Sequence, residues 1–109
     1  KVAGWCESHY IDMMPHNPLG PICTAASIHF GASVPNFAWL ETRESAAENA
    51  GFTNDEIIKS SHYMENAMYV VSNEPGLGIS VNEDYLKNSK FKQWDPPQLE
   101  RNDGSVTNW

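Results

Sequence analysis

Three prolines within seven residues, Pro15, Pro18 and Pro21, constrain this chain more than any other feature. They punctuate the run Ile11-Asp12-Met13-Met14-Pro15-His16-Asn17-Pro18-Leu19-Gly20-Pro21-Ile22. A proline ring disfavours the α region at the residue before it, so Met14 and Asn17 are expected to be extended. His16 therefore sits between two stiffened positions. Pro21 suits a first helical turn, where its missing N–H costs nothing. The run reads as a short apolar strand that stops at a proline, shows a histidine to solvent and enters a helix through Gly20-Pro21. Proteins with α/β folds present reactive groups on such loops. His16 is thus a candidate site residue.

The same pattern recurs in Pro35-Asn36-Phe37-Ala38-Trp39-Leu40-Glu41, an apolar strand closed by an acid. Between the two lies Gly20–Val34, long enough for a crossover helix. Strand, helix and strand in this order predict a βα unit of a parallel sheet. In such a unit both strands end at one edge, which would place His16 and Glu41 together. Side-chain parity is open, because Pro15 can break the two-residue alternation.

The rest of the chain is less periodic. Val2, Trp5, Cys6 and His9 fall at helical spacing and predict the packed stripe of a first helix. Residues 46–66 carry acids, asparagines and no clear period, and read as connecting structure. Met68–Val71 is a possible extended segment, and Ile79-Ser80-Val81 alternates like an edge strand after the Pro75-Gly76-Leu77-Gly78 turn. Asn82 is placed to cap a helix Glu83–Lys87 with acids in its first turn. Residues 93–109, with Pro96-Pro97, read as irregular.

A formal net charge of −7 argues against a nucleic-acid partner, whose phosphates call for basic patches. Lys87, Lys90 and Lys92 read as a solvated face. No apolar run approaches the roughly 20 residues of a membrane span. Cys6 and Cys23 are expected to be reduced and buried, as in cytoplasmic proteins. Cys6 and His9 lack a second ligand pair nearby, so a packed helix face is the simpler reading than zinc. His29 and His62 have no partners at ligand spacing and are expected to be structural. A parallel barrel needs about 250 residues, and the chain has 109 with two strands of that kind. Lys1 begins within a helical pattern, and the sequence reads as a piece of a larger protein.

Pro15-His16-Asn17-Pro18-Leu19-Gly20-Pro21-Ile22, the Asn36–Glu41 strand, Pro75-Gly76-Leu77-Gly78 and Asp103-Gly104-Ser105-Val106-Thr107-Asn108-Trp109 carry a resemblance over nearly the whole chain. They resemble the carboxyl-terminal part of the galactonate dehydratases. These are acid-sugar dehydratases of the mandelate racemase/muconate lactonizing branch of the enolase superfamily. The resemblance implies an α/β fold, the carboxyl-terminal fragment of a modified (β/α)7β TIM-like barrel with a tail belonging to an α+β capping domain. On that map residues 1–45 are the last βα units of the barrel. Residues 46–74 connect, and residues 75–109 return to the capping domain. Lys1–Tyr10 would be the sixth helix, Ile11–Met14 the seventh strand, Pro21–Val34 the seventh helix and Phe37–Leu40 the eighth strand.

The function implied is a lyase converting D-galactonate to 2-keto-3-deoxygalactonate, by His-mediated removal of the proton beside the carboxylate. His16 would be the base, and its unperturbed pKa near ~6.5 suits that task. Glu41 would hydrogen-bond the substrate carboxylate as charge grows there, which requires it to donate. Asn17 would touch substrate or cap the turn. The cofactor implied is Mg2+, with its ligands upstream of residue 1 and none in this stretch. The whole enzyme would be cytoplasmic and homo-oligomeric, acting on a small sugar acid with no membrane partner. The fragment alone is expected to be inactive and poorly stable. Other aldonate dehydratases, a racemase or epimerase, or a non-catalytic barrel remnant are the alternatives. Without the resemblance, His16 reads as a loop histidine bracing a Pro-rich turn, and Glu41 as a solvated acid at a strand end.

Overall fold

Helix α1 (Val2–Ser8) stops because Tyr10 turns left-handed (φ 56°), letting the Ile11 N–H close on the Cys6 carbonyl at 2.8 Å. A computed structural model describes residues 1–42, 56–91, 93 and 99–107. The expected stripe of α1 is not its packed face: Val2 and Trp5 are 59% and 67% exposed, and Ala3 is the residue buried. The reason lies in Asn36, whose side-chain amide donates to the carbonyls of Ala3 (3.2 Å) and Ile11 (2.9 Å). That staple draws the small side of the helix inward.

The two expected strands meet as one parallel bridge, Met13 with Phe37. Met13 N–H donates to the Asn36 carbonyl (2.7 Å), and Ala38 N–H donates to the Met13 carbonyl (3.0 Å). Pro15 and Pro35 have no N–H to extend the ladder. Pairing of Ile11–Met14 with Phe37–Leu40 is therefore shorter than the sequence suggested, but its direction is the one expected. The crossover is helix α2 (Pro21–Ser33), with Pro21 in its first turn and Val34 already extended at its end. Gly31 lets the second strand approach α2, since a Cβ there would lie 2.9 Å from the Phe37 ring. Thr24, Ala25 and Ile28 form the buried face of α2. Cys6 and Cys23 are free, as expected, but only half-buried.

Strands β1 (Ile58–Ser60), β2 (Tyr63–Glu65) and β3 (Met68–Val70) occupy a stretch that had read largely as connecting structure. β2 and β3 form an antiparallel hairpin whose two-residue turn, Asn66-Ala67, has positive φ at both positions. That is a type I′ turn built with alanine where glycine is usual. Its short strands and unusual turn explain why no period announced it. β1 pairs antiparallel with β4 (Ile79–Val81). Asn82 then caps α3 (Glu83–Asn88), its side-chain oxygen accepting the Tyr85 N–H, and Lys87 pairs with Glu83 at 3.4 Å across one exposed turn.

Within the stretch expected to be irregular, β5 (Leu99–Glu100) and β6 (Val106–Thr107) form a further hairpin. Gly104 takes a positive φ there, and the Asp103 carboxylate accepts the Ser105 N–H. The expected boundary near residue 45, and Lys92, lie outside the described residues. No helix among the described residues is long and apolar enough to cross a membrane.

Candidate active site

The Met13–Phe37 bridge sets the first strand beside the second. Three residues beyond one partner and four beyond the other stand His16 and Glu41. Their side chains meet: His16 Nδ1 lies 2.9 Å from Glu41 Oε2, with the imidazole 83% exposed and the carboxylate 40% exposed. The expectation that both residues share one edge is met. The arrangement is an acceptor's one, because Glu41 Oε2 also takes the Asn17 backbone N–H at 2.8 Å. Glu41 had been expected to donate towards substrate; in this geometry it accepts from the protein.

The contact places a proton on Nδ1, between the ring and the carboxylate, in either the neutral ring or the imidazolium.

Asn17 departs from its expected role. Substrate contact was one reading, yet the residue is 0% exposed. Its side-chain amide donates to Thr24 Oγ1 (3.0 Å) and to the Glu41 carbonyl (3.1 Å). The physical reason is its place in the chain: Pro15 and Pro18 turn the loop so that position 17 faces α2. Among the described residues, Asn17 Oδ1 is buried without a partner. Thr24, 6% exposed in the first turns of α2, was missed in the sequence. The available signal was its position four residues after Gly20, where its hydroxyl leans back to the Gly20 carbonyl at 3.4 Å. Just past Glu41, Thr42 Oγ1 meets the Tyr69 hydroxyl of β3 at 2.8 Å.

No group of three His, Cys, Asp or Glu side chains able to hold a metal ion occurs among the described residues. A magnesium ion does not fit on these residues by themselves.

A model of the family described as enolase C-terminal domain-like matches residues 1–85. The chain is 31% identical to a D-galactonate dehydratase of Xanthomonas campestris pv. campestris over 113 aligned residues, covering 100% of this chain and 30% of that protein. It is 31% identical to a D-mannonate dehydratase of Sphingomonas sp. (strain SKA58), covering 84% of this chain and 21% of the relative. Among solved structures, an enolase from Agrobacterium radiobacter bound to sodium and L-malate superposes with a TM-score of 0.70 at 23% identity, over 96% of this chain and 29% of that one. The chain thus spans under a third of the length of these relatives. A parallel βα pair with the barrel-type fold of that structure, and a family match over most of its length, lead to one assignment: the chain belongs to the enolase C-terminal domain-like family.

Proposed function

We propose that this chain is part of a sugar-acid dehydratase in which His16 removes the proton beside the substrate carboxylate. The observation that carries the reading is the 2.9 Å contact of His16 Nδ1 with Glu41 on an imidazole that is 83% exposed at the end of its strand. The substrate is an aldonate, D-galactonate in the first instance, and the names of the relatives support that class. Because those relatives are about three times longer, the whole enzyme is the catalytic unit.

His16 Nε2 takes the hydrogen from C2, and the electron pair of that bond moves onto the carboxylate as an ene-diolate. Glu41 steadies the imidazolium that results. The pair then returns to form the C2–C3 double bond as the C3 hydroxyl leaves, protonated by an acid supplied outside the described residues. The enol tautomerises to the 2-keto-3-deoxy acid, so one water is lost in all. Magnesium dependence, a homo-oligomeric assembly and a cytoplasmic setting belong to this same reading. The metal would be held by carboxylates outside the described residues.

The test is exchange of the C2 hydrogen in deuterium oxide, followed by NMR on the whole enzyme with magnesium and D-galactonate. Unmutated enzyme should exchange that hydrogen and form the keto acid. His16→Asn should lose both, by about 10²–10⁴-fold or more. Exchange at the unmutated rate in His16→Asn would remove His16 from the role of base. Exchange without loss of the hydroxyl would point instead to a racemase or epimerase.

A further inference from the structure

We propose that Tyr69 is a positioning residue: through Thr42 it holds the strand end that carries Glu41, and it makes the β2–β3 hairpin a brace of the active site. The inference rests on the reading of Glu41 as an acid of a sugar-acid dehydratase, and extends it to a hairpin far along the chain.

Glu41 stands beyond the pairing that fixes its strand. Among the described residues, the last backbone–backbone bond of that strand runs from the Ala38 N–H to the Met13 carbonyl (3.0 Å). Trp39, between Ala38 and Glu41, is 73% exposed. Chain past the end of a ladder opens locally unless side chains tie it down. Thr42 follows Glu41 directly, and its Oγ1 lies 2.8 Å from the Tyr69 hydroxyl in a part-buried contact. A tie at Thr42 steadies the backbone of the residue before it, so Tyr69 acts on Glu41 without meeting substrate.

The far end of the tie is stiff. Tyr69 is the middle residue of β3, opposite Met64 of β2. The base of the hairpin is closed by His62, whose Nδ1 accepts the Ser72 N–H at 3.1 Å. His62 is 7% exposed, and its ring meets His29 of α2 edge-on with centroids 5.2 Å apart. The hairpin is thus fastened to the crossover helix at its base and to the Glu41 strand through Tyr69. Helix α2 and that strand belong to one βα unit, so the hairpin bridges two points of a single frame. Both groups in the tie are neutral hydroxyls. A hairpin that only covered surface would use the ring of Tyr69 and not its hydroxyl.

Tyr69→Phe isolates that difference, keeping the ring and removing the hydroxyl. Thr42→Val removes the other partner with little change of shape, and Thr42→Ser keeps it. The loss of one neutral hydrogen bond sets the scale. A group that acts on charge developing in the transition state shows in kcat rather than in KM.

The experiment uses the whole enzyme with magnesium and D-galactonate. Tyr69→Phe and Thr42→Val should each lower kcat by about 3–10-fold, with KM changed by less than about 3-fold. The two together should do no more than either alone, because they break the same bond. Thr42→Ser should recover the unmutated rate. With Glu41→Gln already in place, Tyr69→Phe should lower kcat by less than about 2-fold more. A full loss in that background would mean that Tyr69 acts elsewhere and would overturn the proposal, as would an unchanged kcat in folded Tyr69→Phe. Where that variant does not fold, Thr42→Val decides in the same way. A second readout needs no substrate: hydrogen exchange of the segment Phe37–Thr42 should quicken in both variants while that of α2 stays as it was. Unchanged exchange at the strand end would overturn the brace. If the unmutated enzyme forms no keto acid from D-galactonate, the dehydratase reading fails, and exchange of this segment still decides whether Tyr69 holds the strand end.

Discussion

His16 and His62 stand in opposite surroundings, the first open to solvent beside an acid and the second covered and bonded to the backbone. His62 is 7% exposed, and both of its ring nitrogens are spent on the backbone. Nδ1 accepts the Ser72 N–H at 3.1 Å, so the proton sits on Nε2, which lies 2.8 Å from the Leu77 carbonyl. His16 instead has Nδ1 facing a carboxylate and the rest of the ring in solvent. One ring is saturated by neutral backbone groups under cover; the other is half-saturated by a charge and left open. Burial with full satisfaction gives rigidity, whereas exposure suits the role of base proposed for His16. Their surroundings follow suit. His62 packs edge-on against His29 of α2 (centroids 5.2 Å apart), while His16 leans on a loop that Asn17 fastens from beneath.

Exchanging the two losses should break the comparison most sharply. Truncating His62 to alanine removes the partner of the Ser72 N–H and the Leu77 carbonyl, two part-buried groups, at about 1 kcal/mol each, and empties the space of a ring that is 7% exposed. His62→Ala should therefore lower stability by roughly 2–5 kcal/mol in a denaturant titration of the whole enzyme. His16→Ala should lie within about 0.5 kcal/mol of the unmutated protein, because Glu41 keeps its bond from Asn17 and the ring was already in water. A large stability loss at His16, or none at His62, would undo the division between the two.

The outline of the site was legible because prolines and strand ends act locally. Pro15, Pro18 and Pro21 fix the backbone of the His16 loop whatever surrounds it, and the crossover length sets the direction of the Met13–Phe37 pairing. What was not legible depends on contacts distant in sequence. Asn17 and Glu41 are 24 residues apart, and nothing near Asn17 says that its amide would face α2 rather than solvent. The buried face of α1 was misread for a related reason: Asn36, 33 residues from Ala3, chooses which side packs. The hairpin of β2 and β3 escaped because Asn66-Ala67 takes a conformation that sequence reading expects of Asn-Gly. Short strands paired by geometry leave little periodicity to read.

Gly78 offers a second, smaller strike at the His62 side. It has φ +64°, and a Cβ there would lie 2.8 Å from Ser61 Oγ and 3.1 Å from His62 Nε2. Gly78→Ala should thus cost about 1–3 kcal/mol, through a strained backbone and a displaced imidazole. A 15N spectrum in which the His62 ring is unchanged would mean that Ser61 alone gives way. Ala67→Gly should act in the opposite direction. Ala67 has φ 60° in a turn that favours glycine, and the exchange should stabilise the β2–β3 hairpin by about 0.5–1 kcal/mol. Hydrogen exchange at Glu65 and Met68, which pair across that turn, should slow; faster exchange would mean that the turn is not the limit on the hairpin.

The smallest effect should come from Asp103, an exposed acid with hydrogen-bond partners of its own. The Ser105 hydroxyl, at 2.7 Å, and the Ser105 N–H, at 2.9 Å, hold its carboxyl below the usual value of 3.8. A group whose folded pKa is depressed contributes stability that is full above its unfolded pKa and is lost as pH falls through the folded one. The β5–β6 hairpin should accordingly loosen only below about pH 4, in steps visible in the Ser105 amide shift. Asp103→Asn should remove that titration while changing the neutral-pH hairpin little, since exposure and solvent screening keep such bonds weak. If the hairpin instead loosened near pH 6 to 7, an imidazole rather than this carboxyl would be the group responsible, and exposure would no longer separate the residues that hold this fold from those free to react.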